Sequence, residues 1–236
     1  MASIRDENGY NQGFRDSLST RVRYERRCDY MLSKMNASAD KRVLEIGCGT
    51  GAVAYMLATK SRMHVTGIDC SPPFIEAARK DYQYPNLCYE IGDFTKIEPS
   101  QEERVDYIVG NGILHHLYYQ LEESLRCIHQ LLNPGGRIIF LEPNLFNPYI
   151  YLIFSIQYLR RLTRLEPDEM AFSKSFIERL LVRVGFVNIQ VEYRDFLIPG
   201  IPAALIKPSV VMGGVLERIP VIQQVAQSLF ISADRD

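Results

Sequence analysis

Between residues 42 and 141, apolar runs of strand length alternate with helical patterns. The runs at 43–46, 64–68, 87–91, 105–109 and 137–141 read as strands. Residues 51–59 and 72–81 read as helices, the second opening on Pro72, where a missing N–H costs nothing. Residues 120–132 set Leu121, Leu125, Ile128, Leu131 and Leu132 at helical spacing, and Asn133-Pro134-Gly135-Gly136 stops that helix. Strands alternating with helices predict an α/β chain whose mostly parallel sheet is covered on both faces.

After residue 142 the pattern changes. Residues 144–165 are densely apolar and aromatic, with Tyr149, Tyr151, Phe154 and Tyr158 among them. Residues 175–184 form a regular helical pattern, with Ser175 and Glu178 spaced as a capping box and Gly185 at its end. Residues 187–196 read as a strand, and 228–233 suit a final one. The apolar stretch between them, 198–220, is broken by prolines and reads as irregular. No internal repeat or low-complexity linker is present.

A chain of 236 residues holds one full-sized domain with a real core. Its net charge of −1 gives no electrostatic case for nucleic-acid binding, so no nucleic-acid partner is expected. The basic residues are dispersed, apart from Arg21-Arg23-Arg26-Arg27 and Arg160-Arg161-Arg164. The five cysteines (Cys28, Cys48, Cys70, Cys88 and Cys127) are odd in number and form no C-x-x-C pair. They read as free thiols of a reducing compartment. The polar, acid-bearing N-terminal segment has neither a secretory core nor a transit-peptide pattern, so a cytoplasmic location is expected.

Candidate chemistry concentrates in Glu45-Ile46-Gly47-Cys48-Gly49-Thr50-Gly51, where a buried strand runs into a glycine-rich turn and a helix follows. Glycines let the backbone approach a ligand and adopt positive φ. A helix N-terminus adds unpaired N–H groups and partial positive charge, suited to a pyrophosphate or a carboxylate. Asp69 ends the second strand about twenty residues on, where an acid can accept from both hydroxyls of a ribose. Nicotinamide-dependent enzymes use the same device, so Asp69 by itself does not discriminate.

The spacing G-x-G-x-G, with Glu45 ahead of it, resembles motif I of class I S-adenosylmethionine-dependent methyltransferases. Three later segments extend the resemblance in the family's order: Ile91-Gly92-Asp93-Phe94 after the third strand, residues 105–117 around the fourth, and residues 132–140 before and within the fifth. The likeness is strong over residues 40 to 142 and weak beyond. It implies a Rossmann-like αβα sandwich with a seven-stranded sheet, mostly parallel with the last strand antiparallel. Apolar insertions would follow strand five and separate strands six and seven. It divides one domain into an N-terminal helical cover (1–40), a cofactor-binding core (41–142) and substrate-side helices with the last two strands (143–236).

The resemblance also implies roles. Gly47, Gly49 and Gly51 would let the methionine portion of S-adenosylmethionine lie against the loop, with Cys48 a small filler beside it. Glu45 would orient the loop or contact the amino group. Asp69 would accept from the ribose and Cys70 border the adenine. Gly92 and Asp93 would hold the adenine amino group, with the Phe94 N–H nearby. The backbone of Asn111 and Gly112 would meet the methionine end, and Tyr10, Phe14 and Arg23 would help cover the cofactor.

His115 and His116 follow the fourth strand at the sheet's carboxyl edge, where open α/β sheets bind ligands. An imidazole titrates near neutral pH, so either histidine is a candidate base; the alternative is packing or hydrogen bonding at a helix start. His64 and His129 read as structural. No metal site is expected, because adjacent histidines lack the i, i+4 spacing of helical ligands and no cysteine cluster joins them. Where metal-dependent catechol-type members bring an acid, this chain has Asn111. The N-P-P-Y signature of amino-methylating members is absent. The apolar 145–165 and 198–220 segments point to a small-molecule or lipid-like acceptor. Residues 149–159 read as a buried lid helix over the site, or as a peripheral membrane contact with Arg160 and Arg161 at head-group level. The expected activity is methyl transfer to oxygen, carbon or nitrogen; the alternative is a non-catalytic cofactor-binding scaffold.

Overall fold

The computed structural model describes residues 17–97, 104–163, 165–198 and 200–236. Tyr10, Phe14 and Arg164 lie outside the described residues. The sheet is built from β1 (Arg42–Ile46), β2 (His64–Asp69), β3 (Leu87–Ile91), β4 (Val105–Asn111), β5 (Leu132–Pro143), β6 (Phe186–Arg194) and β7 (Ser228–Arg235). Its order is β3-β2-β1-β4-β5-β7-β6. The first five strands pair in parallel, and β7 runs antiparallel between β5 and β6, as the resemblance implied.

Strand side chains alternate between two apolar layers. Leu44, Ile46, Ile108, Ile138 and Phe140 pack on one face against helices α4 (Leu121–Leu131) and α7 (Lys174–Val184). Val43, Val109, Ile139 and Leu141 pack on the other, against α1 (Leu18–Ser33), α2 (Ala52–Lys60) and α3 (Pro72–Asp81). Each such fully buried aliphatic side chain contributes about 1.5–3 kcal/mol. Burial on both faces is why these strands read as near-continuous apolar runs.

Several boundaries differ from expectation. Residues 133–136 do end α4, but they lie inside β5 as an irregularity: the pairing steps from Val105↔Leu132 to Tyr107↔Arg137, with Gly135 at φ +75°. The cap of α7 is Ser173, whose hydroxyl accepts from the Phe176 N–H at 3.3 Å, so Ser175 is not the capping residue. Gly185 closes that helix in the left-handed region, as read. Residues 198–220 are not irregular. They contain α8 (Ala203–Leu216), which accommodates Pro208 despite the lost hydrogen bond and the ring's clash with the preceding turn.

The 144–165 insertion is not a buried lid. It forms α5 (Pro148–Ser155) and α6 (Gln157–Leu162), broken at Ile156. Phe154 is the one residue of α5 that is buried, within a small satellite cluster with Leu165 and Ala171. Tyr149 and Tyr158 are 63% and 73% exposed. A helix apolar all round normally needs neighbours all round; here the fold supplies them on one side. No described helix is long and apolar enough to cross a membrane.

Candidate functional site

The carboxyl ends of β1, β2, β3 and β4 bring the motif residues to one edge of the sheet. Gly47, Gly49 and Gly51 follow β1 with φ of +64°, +52° and +86°. This explains the alternating spacing: each second residue sits where an L side chain is strained. Gly49 faces open space, with no described atom within 4 Å of where a Cβ would stand. At Gly47 a Cβ would collide with Ile113 at 2.6 Å, which locks the loop against the end of β4. Tyr89, not anticipated from sequence, buttresses the turn by donating its hydroxyl to the Gly51 carbonyl at 3.1 Å.

Asp69 closes the loop from below. One carboxylate oxygen accepts from the Gly49 N–H at 2.9 Å and the other from the Ser71 N–H at 2.8 Å. Each oxygen retains a second lone pair. Cys70 is exposed beside it, its thiol 3.4 Å from the Gly92 carbonyl. Asp93 accepts from the Thr95 N–H and hydroxyl and pairs with Lys96 at 3.0 Å. Burial opposes its ionisation, but these contacts outweigh it and hold the carboxyl below its ordinary range. Phe94 behind it is buried in the core.

Glu45 is the anomaly of the loop. It is buried in the sheet between Gly67 and Val109, and Cys48 is buried near it. Its Oε2 finds no hydrogen-bond partner among the described residues. Burial raises its pKa to about 8, with the Ala54 N–H opposing and Asp69 adding.

At the β4 end, Gly112 has φ +78° and donates its N–H to Leu141 at 2.8 Å. The Asn111 side chain accepts from Arg27 of α1 at 2.6 Å. Arg27 and Arg23 both donate to the buried Asp195, at 3.1 and 3.0 Å. Arg23 is therefore tied to the end of β6.

His115 and His116 open the 3-10 helix Leu114–Gln120, with ring centroids 4.2 Å apart. Their partners come from elsewhere in the chain. Glu142, at the end of β5 and 1% exposed, accepts from the N–H groups of Ile113, Leu114 and His115 at 3.0, 2.9 and 3.3 Å. It also meets His115 Nδ1 at 2.9 Å. Burial, then the neighbouring His116, lowers the His115 pKa, so its ring is neutral at neutral pH. With Nδ1–H donating to Glu142, Nε2 carries the lone pair. Glu169 reaches His116 Nδ1 at 3.1 Å. Phe154 of α5 meets the His115 ring edge-on at 6.3 Å between centroids, so the insertion does flank the histidines. Arg160, placed at head-group level in the alternative reading of this segment, turns inward and donates to the carbonyls of Phe154, Glu166, Pro167 and Glu169.

Residues 43–136 match the methyltransferase domain family. An uncharacterized methyltransferase of Geobacillus kaustophilus is 32% identical over 139 residues, covering 58% of this chain and 60% of that protein. A ubiquinone biosynthesis O-methyltransferase of Coxiella burnetii is 31% identical over 125 residues, covering 52% of each. The chain thus spans about half the length of the curated relatives it matches. In fold it superposes on a chain from the complex of the Haloferax volcanii Trm112 methyltransferase activator with its methyltransferase. That likeness has a TM-score of 0.70 at 18% identity, over 98% of this chain and 99% of that one. The left-handed glycine loop, the acids at the strand ends and the β7 reversal agree with these matches: residues 43–136 are similar to a methyltransferase domain, and the whole chain shares the fold of the superposed methyltransferase complex.

Proposed function

We propose that this chain binds S-adenosylmethionine at the glycine loop and transfers its methyl group to a small, hydrophobic acceptor. The observation that carries the reading is the loop itself: three left-handed glycines tied to Asp69, with open space before Gly49. The residues present fit that cofactor. The orphaned Glu45 Oε2 suits the ammonium of the methionine portion, Asp69 retains lone pairs for ribose hydroxyls, and Asp93 is an ionised acceptor at the next strand end. Cys48, Cys70, Gly92, Phe94, Asn111 and Gly112 follow or end the same strands, and Phe94, Asn111 and Gly112 would contribute their backbone. When bound, the cofactor supplies a methyl group already activated by its sulfonium; the protein aligns the acceptor and excludes water.

His115 is the base of this proposal. Glu142 fixes its Nδ1 tautomer, and Nε2 takes the acceptor's proton. His116 and Glu169 border the acceptor. The exposed apolar side chains of α5 and α8 support a lipid-like or quinone-like acceptor, as does the quinone pathway named for the Coxiella relative.

Glu45 gives a direct test of cofactor binding. Its folded pKa stands above the ordinary 4.5, at about 8. The unfolded chain therefore ionises the group first, and ligand-free stability falls as pH rises through that window. Pairing with an ammonium reverses the preference. Calorimetry with adenosylhomocysteine at pH 7, in buffers of different ionisation enthalpy, should show release of about one proton per site. Glu45→Gln should abolish the release and weaken binding.

Transfer itself is tested with methyl-labelled S-adenosylmethionine and extract from cells lacking this protein. Protein-dependent label in the organic phase is expected. Label confined to the aqueous phase would replace the lipid-like acceptor with a polar one. Cofactor binding without transfer to any acceptor would favour a non-catalytic scaffold.

A further inference from the structure

Glu169 has no role in the reading above that requires its burial. It is 1% exposed, yet neither carboxylate oxygen has a hydrogen-bond partner among the described residues. His116 Nδ1 stands 3.1 Å from Oε1, at ion-pair distance but outside hydrogen-bond geometry. A buried carboxylate whose close side-chain partner is an imidazole is costly to ionise, and buried charges are paired or hold a metal ion.

The segment that delivers Glu169 is firmly held. Arg160 donates to three carbonyls within it, at Glu166, Pro167 and Glu169, and the Met170 N–H donates to the His115 carbonyl at 3.0 Å. One ligand-type atom from each of His115, His116 and Glu169 falls within 4.8 Å of the others. We propose that these three side chains form a site for one divalent transition-metal ion.

The geometry favours this over a plain ion pair. Two atoms each ~2.1 Å from one ion stand ~3.0–3.4 Å apart, which is the His116–Glu169 spacing. The widest pair must close by up to about 1.4 Å to complete a tetrahedral set. His115 already carries the expected outer support: its other nitrogen bonds a buried carboxylate, Glu142, itself anchored by three backbone N–H groups. Two imidazoles and one carboxylate suit zinc, iron(II) or cobalt(II), not calcium or magnesium. The adjacency of the histidines argued against a metal from sequence; the third ligand comes from a distant segment that spacing could not reveal.

The consequence for catalysis rests on the methyl-transfer reading, whereas the site itself does not. In the loaded protein Nε2 of His115 would be a ligand, and the ion would lower the pKa of a coordinated acceptor hydroxyl so that its proton passes to solvent water. The free imidazole acts as base in the stripped protein alone.

The test uses the full chain stripped with chelator and titrated with cobalt(II) chloride in the absence of cofactor. One saturable equivalent with visible d–d absorption is expected. Glu169→Gln should lower affinity at least 100-fold, and Glu142→Gln by 10- to 100-fold. No saturable uptake by the native chain, or unchanged affinity in Glu169→Gln, would overturn the proposal. Thermal melting checks that Glu169→Gln folds; His116→Gln carries the same test if it does not. Adenosylhomocysteine calorimetry on the same samples reports the cofactor site separately.

Discussion

Replacing Asp69 with alanine should weaken adenosylhomocysteine binding by at least about 100-fold. Two charge-assisted hydrogen bonds to ribose hydroxyls, each worth about 1.5–3 kcal/mol, account for that loss. The structure adds a second effect. Asp69 also accepts from the Gly49 and Ser71 N–H groups, so the substitution releases the glycine loop from β2. A fall of about 1–3 kcal/mol in stability should accompany the loss of binding. Asp69→Asn separates the two: an amide oxygen can keep one backbone contact and part of the stability, but not the double acceptance that a vicinal diol needs. Calorimetry and thermal melting of the two variants make the comparison. Unchanged affinity in Asp69→Ala would remove Asp69 from the cofactor site.

Glu142 should give the second large effect. Alanine there leaves four buried donors without an acceptor, and destabilisation of at least about 3 kcal/mol is expected, since each unsatisfied buried donor costs about 1–3 kcal/mol. Glu142→Gln keeps the volume but presents an amide N–H₂ toward donors. It should lower kcat by about 10²–10³-fold, since His115 loses the acceptor that fixes its tautomer. Cofactor affinity should fall less than kcat, because Glu142 reaches the glycine loop only through Ile113. A matching loss in His115→Gln, with no further loss in the double variant, would mark the two as one unit. Unaltered kcat in Glu142→Gln would remove the pair from catalysis.

The cofactor half was legible because its chemistry is local. Strand, glycines and helix follow one another around Gly49, and β1 to β4 are buried on both faces, so their runs stand out. The acceptor half depends on which strand ends lie side by side. Glu142 was visible at the end of an apolar run, but its partnership with His115 exists because β5 lies beside β4. Glu169 carried no signal at all, since its position depends on Arg160 folding its own loop inward. The inward turn of Arg160 was not legible because a helix-end arginine beside aromatic residues looks the same whether it faces water or backbone carbonyls. The helix α8 was missed because Pro208 outweighed the helix-forming residues around it.

The strand pairings Pro143↔Ser228 and Arg194↔Ser228 place the ends of β5 and β6 and the start of β7 at one point. The 195–227 excursion therefore departs from and returns to that one point, whereas residues 144–185 leave from it and re-enter the sheet at its opposite end, where Phe186 pairs with Arg235. Insertions or deletions within 203–225 would leave the glycine loop and its acids untouched. The fold thus lets one excursion change length without disturbing the strand ends that carry Asp69 and Asp93.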